Sequence, residues 1–290
     1  MFLNRDSNAP PWFAPTPYRY VLLGLQHTSV IENLRHRKAP SGISRNNLVQ
    51  KPMQLYKKRI FVEQNYTSSM KKEEKVRLPY VPTYGEEVAN TVSHAVMLPL
   101  TLCLLPFAAV WTYLHDARPV LASVSVSVCV ISIFLMLLAS TLYHSMRPDS
   151  KHKAVFHKLD HIFIFVAIAG TYTPVALLVI GGWQGVFVTV LQWTAVLLGI
   201  LYKTLARRSI PALSLTIYLV MGWTAIFFLP RLIRNASLPL LLLILLGGVL
   251  YTAGAIVYAK KGFRYHHLVW HLFIDLALLS HLAGIVFFIG

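Results

Sequence analysis

Polar and apolar residues are segregated along this chain on a scale far longer than a soluble helix needs. From about residue 88 the apolar positions gather into seven runs, roughly 88 to 113, 119 to 143, 159 to 180, 186 to 203, 211 to 229, 237 to 259 and 267 to 289, joined by short stretches rich in Pro, Gly and charge. Each is close to the ~20 residues that cross a hydrocarbon core about 30 Å thick. Only helices and closed barrels satisfy their backbone groups in lipid, and runs of this length without strict alternation are helices. The pattern therefore predicts an all-α, integral membrane, seven-transmembrane helix bundle over residues 87 to 290. No internal repeat divides it into matched halves.

Residues 1 to 86 read differently. The first 69 carry ten Lys/Arg against Asp6, Glu32 and Glu63, several prolines and no run long enough to span, so the segment reads as a basic extension without a fold of its own. Met70 opens the polar run Lys71, Lys72, Glu73, Glu74 and Lys75, and translation from Met70 is the expectation. Across 290 residues, 56% are hydrophobic and 13% charged, with a mean hydropathy of +0.56. A soluble enzyme is excluded on composition. Cys103 and Cys129, both within apolar runs, read as small core residues.

The formal net charge of +16 would suggest nucleic acid, but its distribution assigns it to topology. Arg147, Lys151, Lys153 and Lys158 follow the second run, Lys203, Arg207 and Arg208 the fourth, and Lys260, Lys261 and Arg264 the sixth. The alternate joins hold only Arg118, Arg231 and Arg234. Positive charge stays inside, so the N-terminus is expected in the cytoplasm and, after seven crossings, the C-terminus outside. Membrane lipids are the expected partners, with no nucleic acid, in the plasma membrane.

Polar and titratable groups at membrane depth are expensive and mark function. Here they are few: Glu87, Asn90 and His94 open the first run, Ser140 and His144 close the second, Asp160 and His161 open the third, and His267, His271, Asp275 and His281 lie along the seventh. Under the charge-derived topology nearly all meet at the cytoplasmic boundary. His267 and His271, four residues apart, share a helical face and can share one metal ion; alone, such a pair equally suits an interfacial polar patch. With His144 added, three imidazoles match the ligand set of a catalytic zinc that keeps a fourth position open. Asp160 is a candidate general base. Ser140, one turn before His144, either reaches a substrate oxygen or bonds back to its own helix. His281, about 15 Å beyond His271 by helical rise, is expected to be a satisfied core residue.

Glu87-x-x-Asn90-x-x-x-His94, Ser140-x-x-x-His144, Phe156-His157-Lys158-Leu159-Asp160 and His267-x-x-Trp270-His271 together resemble the hemolysin III branch of the progestin and adipoQ receptor superfamily. Residues 1 to 69 lie outside the resemblance. It implies Zn2+ on His144, His267 and His271, with Asp160 reaching the metal through water, as in the adiponectin receptors. Similarity to alkaline ceramidases further implies a ceramide-like or acyl-amide substrate. Asp275 departs from the pattern, which leads one to expect an apolar residue there; it either orients His271 or is neutral and hydrogen-bonded within the bundle.

Three functions compete at this point: a zinc-dependent lipid amidohydrolase, a membrane-homeostasis sensor or receptor-like protein with a structural zinc, and a cytolytic protein. A pore requires polar residues through the full depth of several spans, whereas these gather at one end.

Overall fold

A computed structural model describes residues 82–148, 150–206, 210–260 and 262–289, with scattered helical positions between Gln54 and Asn65. Met70, the expected start, lies outside them, as do Arg207, Arg208 and Lys261. From Val81 the chain is one compact unit, and it contains seven helices long and apolar enough to cross a membrane. These are span one (Tyr84–His115), span two (Pro119–Ser145), span three (Lys151–Ile180), span four (Gly182–Leu205), span five (Pro211–Asn235), span six (Leu238–Lys260) and span seven (His266–Phe288). No strand occurs among the described residues.

The helices outrun the apolar segments where polar caps extend them. Span one begins on a capping box: Thr83 Oγ1 accepts from the Glu86 amide, and Glu86 accepts from the Thr83 amide at 2.8 Å. Span three begins at Lys151, eight residues before its apolar run, because the Ser150 hydroxyl caps the His152 amide. Hydropathy marks only the length in lipid, while capping decides where hydrogen bonding starts.

Prolines set the irregularities, since each lacks an N–H and crowds the carbonyl four residues back. Pro99 falls four residues after Ala95, where the first helix of span one stops before a second, Met97–His115. Pro230 likewise lies four residues beyond Ile226, inside the 3-10 stretch Thr224–Phe228 that breaks span five. Other spans satisfy the backbone at that break. The Tyr172 hydroxyl donates to Gly222 O at 2.6 Å and accepts from the Ala225 amide at 2.8 Å, and Gln192 Nε2 donates to Met221 O.

Span three loosens into a π-helix, Val175–Ile180, after Pro174. Arg118 donates to Leu177 O and Leu178 O, Asn235 to Val179 O, and Arg231 to Ile180 O. Two of the three basic residues that ran against the charge bias thus cap carbonyls at this end of the bundle.

Spans two, three and seven are the most enclosed, and their inner faces form the principal apolar core with Val126, Ile133, Leu137, Leu278 and Ile285. Cys129 belongs to that core, but Cys103 is exposed; the second thiol faces outward on span one and is not a core residue. Large apolar side chains such as Phe107, Leu198 and Leu245 are exposed, which lipid accommodates and water would not. Close approach of spans six and seven uses Gly247, whose Cα faces the His281 ring so tightly that a Cβ would collide with it. His281 itself bonds Ile244 O at 3.1 Å, the satisfied core role expected of it. Gly247→Val is therefore expected to destabilise the bundle by about 1–3 kcal/mol, as overpacked cores do, read as a lower unfolding midpoint in detergent.

Candidate metal centre

The elements bring three histidines to the end of the bundle where span one begins. His144 occupies the last turn of span two; His267 and His271 occupy the first two turns of span seven, on one face. Their potential ligand atoms all lie within 4.8 Å of one another. Ring centroids are 4.6 Å apart for His267 and His271, 4.9 Å for His144 and His267, and 5.1 Å for His144 and His271. His144 and His271 are buried and His267 partly so. Three His can therefore form a metal site here.

Span one fixes how two of these rings present themselves. Glu87 Oε2 lies 2.6 Å from His144 Nδ1. Ser93 Oγ lies 2.9 Å from His271 Nδ1, with Asn90 O at 3.2 Å. The Ser93 hydroxyl spends its proton on Asn90 O at 2.8 Å, so toward His271 its oxygen accepts. A carboxylate and a carbonyl can also only accept. Both imidazoles must carry their proton on Nδ1, which leaves the Nε2 lone pair of each free toward the centre. The same span holds the start of span seven: Glu86 Oε1 accepts the amide of Tyr265 at 2.8 Å. Tyr265 is in the left-handed region, φ 62°, and immediately precedes the helix that carries His267 and His271. Neither Glu86 nor Ser93 was singled out in the sequence. Glu86 had a signal in the Thr83-x-x-Glu86 capping box, but Ser93 had none beyond lying one position before His94.

Several buried polar atoms cluster around the rings without a hydrogen-bond partner: His144 Nε2, Ser140 Oγ, both side-chain polar atoms of Asn90, both ring nitrogens of His94, and Asp275 Oδ1. Buried polar groups are normally satisfied, so this concentration fits a centre completed by a cation and its solvent. Ser140 has no bond back to its helix backbone. His94 stacks on His271 at 3.8 Å with an interplanar angle of 12° and so does not join the set of three. Its Nε2 is 3.6 Å from Asp275 Oδ1. The Asp275 carboxylate, one turn past His271 on span seven, thus lies toward His94 of span one.

Asp160 is not among the three converging side chains. It lines a cavity of about 40 Å³ together with Ser140, His94, His161, His267 and His271, and its Oδ2 is 3.6 Å from His161 Nδ1. That space exceeds the ~10–15 Å³ a water needs. A second cavity of about 410 Å³, almost wholly apolar, lies between spans three, five, six and seven. The two share Met136, Ile164, Leu215, Tyr218, Trp270 and Ile274 as walls.

Comparison with known proteins agrees on the extent of this unit. A family model described as haemolysin-III related matches residues 83–282. The hemolysin-3 homolog of Bacillus subtilis (strain 168) is 36% identical over 196 residues, which cover 66% of this chain and 89% of that protein. Hemolysin-3 of Bacillus cereus is 34% identical over 189 residues, 65% of this chain and 85% of that protein.

Two outcomes follow for the purified protein. Chelation is expected to lower its unfolding temperature, and restoring the ion to reverse this, because a ligand that binds only the folded state stabilises it by mass action. Glu87→Gln and Ser93→Ala, each altering the partner of one Nδ1, are expected to weaken metal affinity roughly 10- to 100-fold in chelator competition.

Proposed function

The chain belongs to the haemolysin-III related family, and we propose that it is a zinc-dependent hydrolase of lipid amides, a multi-pass protein whose centre faces the cytoplasmic side of the plasma membrane. The observation that carries this reading is the shared wall between the small cavity into which Ser140, Asp160, His267 and His271 face and the large apolar cavity beside it. A single-chain lipid laid in the larger space would bring its polar head to Ser140, Asp160, His267 and His271. The side of the membrane rests on the ten Lys/Arg that flank this end of the bundle in sequence, against three at the other.

Three neutral imidazoles suit zinc better than magnesium or calcium, which take oxygen ligands. Held there, zinc would supply Lewis acidity and a nucleophilic water at neutral pH. The protein's own residues would do the rest. Asp160 takes a proton from the attacking water and returns it to the departing nitrogen, so that the C–N bond breaks to give a carboxylic acid and an amine. Ser140 Oγ donates to the substrate oxygen. Glu87 and Ser93 keep His144 and His271 in the tautomer that can bind a cation. His94 and Asp275 wall the site on the side of span one.

A sensor in which zinc is structural has one observation in its favour. Span one is tied by side chains both to His144 and to the start of span seven, so a cation there would lock three spans together whether or not anything is hydrolysed. The hemolysin name of the relatives points to lysis, but the converging acids and histidines lie at one end of the bundle, with His281 the one imidazole deeper along span seven.

The test is zinc content of the wild type beside His144→Ala, His267→Ala and His271→Ala, followed by hydrolysis of ceramide and simple acyl amides. About one zinc in the wild type, lost in each variant together with hydrolysis, is expected. Zinc without hydrolysis would favour the sensor. Asp160→Asn is expected to keep zinc while kcat falls roughly 10²- to 10⁴-fold, the usual worth of a positioned base.

A further inference from the structure

Lys153 sits in the basic join between spans two and three, where positive charge marks topology. Its neighbours fit that role: Lys151 and Lys158 are exposed. Lys153 does not, for its side chain is only 11% exposed. It turns inward from the first turn of span three, and its Nζ donates to Glu87 Oε1 at 2.7 Å and to Met146 O at 3.0 Å. The ammonium also lies 4.9 Å from the centre of the Tyr143 ring. A lysine needed only for its charge in water has no reason to accept the desolvation this costs.

The three contacts share one destination. Glu87 is the carboxylate on His144 Nδ1, Met146 is the residue that caps the end of span two, two past His144, and Tyr143 precedes His144. We propose that Lys153 is a positioning residue for the metal centre, acting on His144 through Glu87; this rests on the reading of His144, His267 and His271 as ligands. Occupying Oε1 fixes the carboxylate so that Oε2 meets Nδ1. It also holds Glu87 as a hydrogen-bond acceptor, paired on both oxygens, where a free carboxylate could swing to the cation and replace an imidazole. Span three thereby contributes to a centre to which it gives none of the three imidazoles.

The test is zinc affinity by chelator competition on the full-length protein for wild type, Lys153→Met, Glu87→Gln and the double variant, with Lys151→Met as a control on the same turn. Lys153→Met is expected to bind zinc roughly 10- to 100-fold more weakly, the usual size of an outer contact. In the Glu87→Gln background it should add less than about twofold, since its route is gone, and Lys151→Met should match wild type. Lys153→Arg, which keeps the charge, should recover part of the loss. If Lys153→Met does not fold, Lys153→Gln makes the same comparison. Affinity within about twofold of wild type for Lys153→Met, or an equal loss with and without Glu87, would overturn the proposal. A wild type that binds no zinc would instead overturn the ligand reading beneath it.

Discussion

An imidazole buried among helices must satisfy one ring nitrogen before the other can do chemistry, and span one meets that demand. Its first three turns present Glu87 to His144 and Ser93 with Asn90 O to His271. Each partner accepts and none donates toward the ring, so a single tautomer is imposed on both residues. Glu86 adds the connection to Tyr265, where the chain turns into span seven. Without span one the same histidines would be two ends of neighbouring helices with their lone pairs undetermined.

This constraint accounts for the three histidines lying on two of the most enclosed spans. Spans two and seven lie with span three at the centre of the bundle, where exclusion of water strengthens every polar contact. The peripheral spans do different work. Span five is broken by proline and held by Tyr172 and Gln192, and that break borders the large apolar cavity beside the site. Spans three and seven serve both the polar site and the apolar volume, which meet at Tyr218, Trp270 and Ile274.

What could be read in the sequence follows from which interactions are local. Seven apolar runs are local features, and so is the pairing of His267 with His271 across one turn; both were legible. Placing His144 beside them needed the topology, which the Lys/Arg distribution supplied. Asp275 was legible as an anomaly, but not its partner, because facing His94 depends on the rotation of span seven against span one. Ser93 and Lys153 were not legible at all: a serine in an apolar helix and a lysine in a basic join have ordinary explanations, and only packing shows which side chain turns inward. The break in span five was hidden as well, since proline is tolerated in membrane helices and its effect depends on what neighbours offer the freed backbone groups.

The central claim is that three imidazoles bind one cation, with the Nδ1 atoms of His144 and His271 held by span one. X-ray absorption at the zinc edge of the purified protein addresses it most directly. The account predicts about four nitrogen or oxygen neighbours near 2.0 Å, about three of them with the outer-shell scattering of imidazole rings, and no sulfur. A shell dominated by oxygen or containing sulfur, or protein that takes up no zinc, would contradict it.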